Sequence, residues 1–467
     1  MIFSSYNFII FLTFFIIIYQ LVNNSNKIYI IFIFNFIFYS FFNLILSIAL
    51  FFDLLINYFF IVKLVSTKKE HRKGILIYAI LFNVIILFFF KYTNFFIDNV
   101  NLIFNSDYKT FQILLPIGIS FFTFQLISYY IDLFNKNKCH NFYAFCNYII
   151  FFPQLIAGPI LRADQIINKF YNLSNIDFTN FIKGFKFFSY GLFIKVVLAD
   201  NIGFISDDIF DNYIYSLSSL DTLVASYLFG FQIYFDFSGY CLMAIGSAKI
   251  IGIDIPVNFY FPYFSKNIRD FWQRWNITLG TWVRDYIYIP LINFFKYKKN
   301  NDVDIRLKKT QAVYIFSLLI SWFVMGLWHG ASWNFVIWGL FHFIYIIIYR
   351  FFLSKIKYEI ILWPIHINLI MISWLIFRIT DLSLILQIFT NFFIIEGFFE
   401  MNLKKNIYLL TSIFLLSNFF IYIFKNIFFN TLINKNNILI LIFFCFLNYF
   451  SFVYLNKEAT PFIYFQF

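Results

Sequence analysis

The chain has 467 residues, of which 61% are hydrophobic, 25% aromatic and 12% charged. Soluble domains carry about 25% charged residues, and a soluble protein of this length could not hide so much apolar surface from water. The same composition excludes a disordered chain, and four cysteines are too few for a disulfide scaffold. We therefore expect an all-α polytopic membrane protein, with about 11–13 transmembrane helices of about 20 apolar residues each.

The net charge of +12 is accounted for by basic loops on the cytoplasmic side of a membrane. Nucleic acid is not an expected partner, because no basic stripe lies on a soluble domain. The expected partner is the lipid bilayer, and the expected location is the cytoplasmic (inner) membrane, crossed many times.

The N-terminal part of the chain predicts a series of membrane helices. Spans are expected at 7–22, twice within 28–65 with a turn near 40–43, at 74–90 and at 111–131. The basic loop 67–73 is predicted to be cytoplasmic and the polar stretch 91–110 to be an external loop. The region 142–163 contains Pro153, Gly158 and Pro159, which predict a re-entrant segment buried in protein or lining a cavity.

Further spans are predicted at 180–199, 216–234, 235–253, 310–327, 332–349, 359–377, 406–424 and 437–455. The stretch 258–295 mixes charged and aromatic residues and predicts amphipathic helices that lie at or dip into the membrane. The basic loop 296–309 is predicted to be cytoplasmic.

His329 is the strongest candidate for chemistry. It lies in MGLWHGASWNFVIWGLFH, residues 325–342, where small neighbours permit close helix packing or close approach of a ligand. Imidazole titrates near neutral pH and can take a proton from a hydroxyl group, although a structural role fits the composition equally well. We interpret His71 and His140 as solvated loop residues, His366 as structural and His342 as a structural hydrogen-bond partner.

A second constellation is RDFWQRWNITLGTWVRDYIYIP, residues 269–290. Its basic side chains, Arg274 and Arg284, could bind the phosphates of a nucleotide-like donor or anionic lipid head groups, or could pair with Asp270 and Asp285. The tryptophans are also typical of a membrane interface.

Together these two segments resemble the membrane-bound O-acyltransferase family, in its bacterial branch typified by alginate O-acetyltransferase. Residues 114–132, 151–162, 191–201 and 232–246 agree with the same pattern in order. The resemblance extends over about residues 80–345 and has six ordered blocks, whereas 346–467 match only as hydrophobic helices. The whole chain, 1–467, is interpreted as one acyltransferase domain.

The resemblance implies a funnel or tunnel around a mid-membrane catalytic histidine. His329 matches the near-invariant histidine of the family, and Asn276 falls where many members have a second histidine and others an asparagine. The chain departs from the alginate-type pattern in reading QRWNITLG, and Leu242 replaces an acidic residue that is frequent in relatives. No role is therefore assigned to an acid at position 242.

The implied chemistry is acyl transfer from a thioester, with acetyl-CoA as the expected donor, no bound cofactor and no metal. His329 would remove the acceptor hydroxyl proton, and the Asn276 amide would donate to the thioester carbonyl. The further expected substrate-binding residues are Arg274, Trp275, Arg284, Asp285, Trp328 and Gln125.

The expected function is O-acetylation of an extracytoplasmic polysaccharide. Peptidoglycan O-acetylation and D-alanyl transfer to teichoic acid are close alternatives. A transporter or flippase and a non-catalytic scaffold of a polysaccharide synthase are more distant ones. A separate extracytoplasmic acyltransferase or acceptor protein and the polysaccharide machinery are candidate partners.

Overall fold

The computed structural model describes residues 1–296, 303–356, 359–392, 402–423, 437–455 and 462–463. These residues form α-helices joined by turns and by short 3-10 or π-helical stretches, and no β-strand occurs among them. The all-α prediction is confirmed.

The chain divides into two compact units. One consists of Met1–Leu192, Gly239–Val257 and Leu441–Pro461, and the other of Phe193–Ser238, Asn258–Ile440 and Phe462–Phe467. Positions 276 and 329 both belong to the second unit. The interpretation of 1–467 as one acyltransferase domain stays a prediction.

The early helices of the first unit follow the predicted pattern. The unit begins with Tyr6–Leu21, Lys27–Ser40, Leu44–Ser66, Lys69–Phe104, Ile119–Lys136, Phe142–Ile150 and Ala163–Phe170. The turn predicted near 40–43 is present, because the Asn43 side chain accepts a hydrogen bond from the Leu46 N–H at 2.9 Å and starts the third helix.

The external loop predicted at 91–110 is wrong over most of its length, since the helix Lys69–Phe104 continues through it. The polar side chains in this part of the helix bind the returning chain. The Asn94 amide donates to the Phe111 carbonyl at 2.8 Å and accepts from the Phe111 N–H at 3.0 Å. Asparagine here satisfies neighbouring backbone groups and does not end the helix.

The backbone around Pro153 is non-helical, and the re-entrant course predicted for this segment stays a prediction. The helix Phe142–Ile150 ends before it, and residues 151–161 are buried. Gly118, with φ of 75°, lies so close that an added Cβ would be 2.5 Å from the Leu155 carbonyl oxygen. The non-helical backbone is therefore covered by protein, the condition under which such backbone is tolerated at membrane depth. The next helix begins at Ile119, directly after Gly118, and not near residue 111 as predicted.

The two spans predicted at 216–234 and 235–253 are a single helix, Ser219–Ile250. The glycines of this helix allow close contact with a neighbouring helix and do not break the helix. A Cβ at Gly246 would lie 2.6 Å from the Gly184 carbonyl oxygen, and a Cβ at Gly191 would lie 2.6 Å from the Gly239 carbonyl oxygen. Small residues commonly serve helix contacts of this kind in membranes.

The second unit contains the short helices that the stretch 258–295 predicts. They are Ile268–Trp272, Ile277–Val283 and Ile289–Lys296, with a π-helical turn at Arg284–Tyr288. Longer helices follow at Val303–His329, Trp333–Phe351, Glu359–Arg378 and Lys405–Ile423, as predicted, and at Leu382–Phe392, which was not predicted. The predicted loop 296–309 is shortened by the start of a helix at Val303, and its residues 297–302 lie outside the described residues.

Six helical stretches within the described ranges are long and apolar enough to cross a membrane. They are Leu44–Ser66, Lys69–Phe104, Phe178–Asn212, Ser219–Ile250, Gln311–His329 and Trp333–Lys355. Shorter apolar helices occur at Tyr6–Leu21, Leu362–Arg378, Lys405–Ser417 and Ile438–Tyr454. The chain is thus a multi-pass membrane protein, and the total of about 11–13 spans stays a prediction.

We expect Gly246→Val to destabilise the protein, because the added atoms would overlap the backbone of the Gly184 helix. Overpacking typically costs about 1–3 kcal/mol. Thermal unfolding in detergent measures the effect. Gly74→Val is the matched control, since an added Cβ at Gly74 meets nothing within 4 Å. Equal melting temperatures for the two variants would contradict the close contact.

Candidate active site

His329 lies at the junction of two closely packed helices. It is the last residue of Val303–His329, and Trp333–Phe351 starts four residues later. Cβ atoms added at Gly326 and Gly339 would each lie 2.4 Å from a carbonyl oxygen of the facing helix. The small residues noted in the sequence therefore serve helix packing, and this packing fixes the position of the imidazole.

Aromatic rings surround the His329 side chain, which is 5% exposed. Its ring centroid lies 4.8 Å from that of Trp328, 4.9 Å from Trp338 and 5.0 Å from Phe377, all with edge-to-face geometry. An imidazole in such surroundings is shielded from bulk water, which strengthens electrostatic interactions at its ring nitrogens. Trp328, an expected substrate-binding residue, therefore contacts the candidate base.

Asn276 lies between the helices Ile268–Trp272 and Ile277–Val283 and is 2% exposed. Its backbone is left-handed, with φ of 42° and ψ of 53°. Asparagine adopts this conformation more readily than most residues. Asn276 Oδ1 accepts a hydrogen bond of 3.1 Å from Asn258 Nδ2, while Asn276 Nδ2 is buried and has no hydrogen-bond partner within the described ranges. The side chain thus offers an unused N–H donor.

One aromatic cluster joins the two candidate residues within the second unit. Trp275, next to Asn276, has its ring centroid 4.7 Å from Trp374. The Trp374 ring lies 5.8 Å from Phe377, and Phe377 lies 5.0 Å from His329. Trp275 is 1% exposed and forms part of this core. The sequence did not single out Trp338 and Trp374, because a buried tryptophan cannot be told from an interfacial one by composition.

The two arginines of the second constellation pair with neighbouring carboxylates. Arg274 Nε lies 2.7 Å from Asp270 Oδ1, and both side chains are mostly buried. Arg284 Nε lies 2.7 Å from Asp285 Oδ1, and the Arg284 side chain is 58% exposed. The hydrogen bond to Asp285 raises the pKa of the Arg284 guanidinium. Both arginines therefore form the ion pairs that were the alternative to binding the acyl donor. Contact of either arginine with that donor stays a prediction.

Gln125 belongs to the first unit and is fully buried. Its Nε2 donates to the Tyr148 carbonyl at 3.2 Å, and its Oε1 accepts from Gln154 Nε2 at 3.3 Å. Both ends of the amide are thus used inside the protein. A role for Gln125 in substrate binding stays a prediction.

Two of the histidine interpretations are wrong. His140 is buried, and its Nδ1 lies 3.1 Å from the Tyr129 hydroxyl, so it is not a solvated loop residue. His342 is fully buried among Trp272, Trp322 and Trp338, and neither ring nitrogen has a hydrogen-bond partner in the described part of the chain. Ring packing and not hydrogen bonding holds this side chain.

The structural interpretation of His366 fits its surroundings. Its Nε2 lies 3.0 Å from the Ser265 hydroxyl, and its Nδ1 lies 2.9 Å from the Tyr345 hydroxyl. The ring is buried and joins its helix to two neighbouring segments.

Comparison with known proteins identifies the chain's relatives. The sequence model of the membrane-bound O-acyltransferase family matches residues 132–389. A peptidoglycan O-acetyltransferase from Helicobacter pylori is 35% identical over 403 residues, which cover 79% of this chain and 74% of that protein. A probable alginate O-acetylase from Pseudomonas putida is 32% identical over 84% of this chain and 80% of that protein. A teichoic acid D-alanyltransferase from Bacillus subtilis is 30% identical, over 50% of this chain and 59% of that protein.

Long apolar helices and these matches define the chain as a multi-pass membrane acyltransferase. It belongs to the membrane-bound O-acyltransferase family, as the resemblance in its motifs implied. The family match includes both His329 and Asn276. It favours acyl transfer over the transporter and scaffold alternatives.

The left-handed backbone at Asn276 gives a testable stability difference. We expect Asn276→Ala to be less stable than Asn276→Gly by about 1–2 kcal/mol, because both lose the side-chain amide but only alanine carries a Cβ in the left-handed region. Chemical or thermal unfolding of the two variants in detergent measures it. A glycine variant no more stable than the alanine variant would contradict the assigned backbone conformation.

Proposed function

We propose that this protein transfers an acetyl group from cytoplasmic acetyl-CoA to a hydroxyl group of an extracytoplasmic glycan, with His329 as the general base and Asn276 as a hydrogen-bond donor to the reacting carbonyl. The observation that carries the proposal is the buried imidazole of His329, fixed by close helix packing within the part of the chain that matches the family. The names of the relatives, O-acetylases of peptidoglycan and of alginate, support acetyl as the transferred group.

The reaction needs one general base and one hydrogen-bond donor. The acceptor oxygen attacks the thioester carbonyl carbon while His329 takes its proton, and the negative charge that develops on the carbonyl oxygen is stabilised by the N–H of Asn276. The C–S bond then breaks, and the leaving thiolate takes the proton from the imidazolium. An ester and a free thiol are the products.

Arg284 is our candidate for contact with the anionic part of the donor. Its side chain is more than half exposed, and its segment leads towards the basic stretch 296–309 that we predict to be cytoplasmic. Arg274 is better suited to holding its own segment together, because it is mostly buried against Asp270. Trp275, Asp285 and Trp328 then shape the region between donor and base.

The acceptor is a glycan outside the cytoplasmic membrane, reached directly or by way of a separate extracytoplasmic acyltransferase that belongs to a polysaccharide-modifying assembly. Peptidoglycan and an alginate-like polymer are the acceptors that the relatives' names support. D-alanyl transfer to teichoic acid has weaker support, because those relatives match a smaller part of the chain. Assays with acetyl-CoA and with a D-alanyl thioester on the same membranes separate the two donors.

We expect His329→Ala to insert and fold but to lose acetyl transfer by about 10²–10⁴-fold, the usual contribution of general-base catalysis. The measurement is transfer of labelled acetyl from acetyl-CoA to glycan by the purified variant, normalised to folded protein. His71→Ala is the matched control, since His71 is exposed in the basic segment near the start of a helix. Near-normal transfer by His329→Ala would remove the catalytic assignment.

Asn276→Gly should lose activity by about 10²–10³-fold, the cost of removing one oxyanion donor. Glycine tolerates the left-handed backbone but has no side-chain N–H to donate. Asn276→His should keep partial activity, because a neutral imidazole can donate. Specific activity and abundance are measured on the same preparations. A glycine variant with normal specific activity would exclude the donor role.

A further inference from the structure

Asn258 lies on a neighbouring segment that is hydrogen-bonded to the segment of Asn276. It is 1% exposed, and its main-chain carbonyl accepts from the Ile277 N–H at 3.0 Å. Two residues further on, the Tyr260 N–H donates to the Arg274 carbonyl at 2.9 Å. These two backbone bonds fix the register of residues 258–260 against residues 274–277. The Asn258 side chain therefore has a defined place beside Asn276.

The orientation of the Asn258 amide follows from its partner Thr278. Asn258 Oδ1 accepts from the Thr278 main-chain N–H at 3.0 Å and from Thr278 Oγ1 at 2.8 Å. A main-chain N–H can only donate, so the amide oxygen of Asn258 must face Thr278 and the amide nitrogen must face away. The usual ambiguity between the two ends of an asparagine amide is thereby removed.

The same logic fixes Asn276. Asn258 Nδ2 lies 3.1 Å from Asn276 Oδ1, and because an amide NH₂ group can only donate, it requires the oxygen of Asn276 on that side. The NH₂ group of Asn276 is then turned to the opposite side, where it is buried and has no partner among the residues that the structure describes.

We propose that Asn258 is a positioning residue, which selects the end of the Asn276 amide that faces the reacting carbonyl. The two ends of an asparagine amide have nearly the same shape, so packing alone selects poorly between them. If the amide turned over, Asn276 would present an oxygen lone pair to a developing oxyanion, which would repel it and not stabilise it. This inference rests on the proposed function of Asn276.

Asn258→Asp tests the inference with almost no change in shape. When ionised, the carboxylate still accepts both Thr278 bonds, but it can only accept from Asn276, so it draws the Asn276 NH₂ group towards itself. The neutral acid, which burial favours, could still donate to Asn276, so Asn258→Ala, which has no side-chain donor, is measured beside it. We expect kcat to fall by about 10²-fold, approaching the loss of one oxyanion donor, with the KM for acetyl-CoA nearly unchanged. Thr281→Val is the control. It removes a side-chain hydrogen bond to the Thr278 carbonyl on the same short helix without touching either amide.

A double-mutant cycle separates positioning from general structural damage. Asn276→Gly removes the amide and keeps the left-handed backbone, so adding Asn258→Asp should cause little further loss of kcat if Asn258 acts through Asn276. Losses that multiply would overturn the proposal. If Asn258→Asp does not accumulate, the uncharged Asn258→Ala takes its place in the same cycle.

The double-mutant cycle also tests the positioning role of Asn258 separately from the donor role of Asn276. Normal activity per folded molecule in Asn276→Gly would overturn the donor role of Asn276 and the positioning role of Asn258 together. A large loss in Asn276→Gly with normal kcat in both Asn258→Asp and Asn258→Ala would leave the proposed function standing and overturn only the role of Asn258.

Discussion

The close approach of the helices Val303–His329 and Trp333–Phe351 is the contact on which the candidate site depends. At Gly326 and Gly339 the absence of a side chain lets backbone meet backbone, and any Cβ there would overlap a carbonyl oxygen. In a bilayer, lipid and leucine are equally apolar, so such contacts gain from van der Waals packing and not from the hydrophobic effect. The packing brings Trp338 against His329 and closes the aromatic wall around the imidazole.

Buried polar groups in the second unit follow two different patterns. Lys195 lies 2.7 Å from the carboxylates of both Asp200 and Asp236, so its charge is compensated where solvation is weak. Asn276 keeps one amide end paired with Asn258 and leaves the other without a partner within the described ranges. A buried donor without a partner costs about 1–3 kcal/mol. A donor buried without a partner is available to a ligand, and stabilising a transient oxyanion is the use proposed for it.

Composition and the ordered motifs predicted the helical membrane fold and pointed to positions 276 and 329. Apolar periodicity could not show where helices end, because asparagines such as Asn94 bind returning backbone and glycines such as Gly246 allow contact without breaking a helix. Asn258 escaped notice for a related reason. Its importance lies in hydrogen bonds to residues 18 and 20 positions away, which no local pattern encodes.

The local geometry at position 276 fits the resemblance in the motifs, which implies an asparagine or a histidine there. The backbone at position 276 is left-handed, and asparagine, aspartate and histidine are the side chains, apart from glycine, that adopt this region most often. For the proposed donor role, asparagine and histidine are the members of this group that carry a side-chain N–H. With Asn258 Nδ2 donating to one ring nitrogen of an imidazole at 276, that nitrogen must carry the lone pair and the other must carry the proton. The same neighbour would therefore orient an amide and set the tautomer of an imidazole.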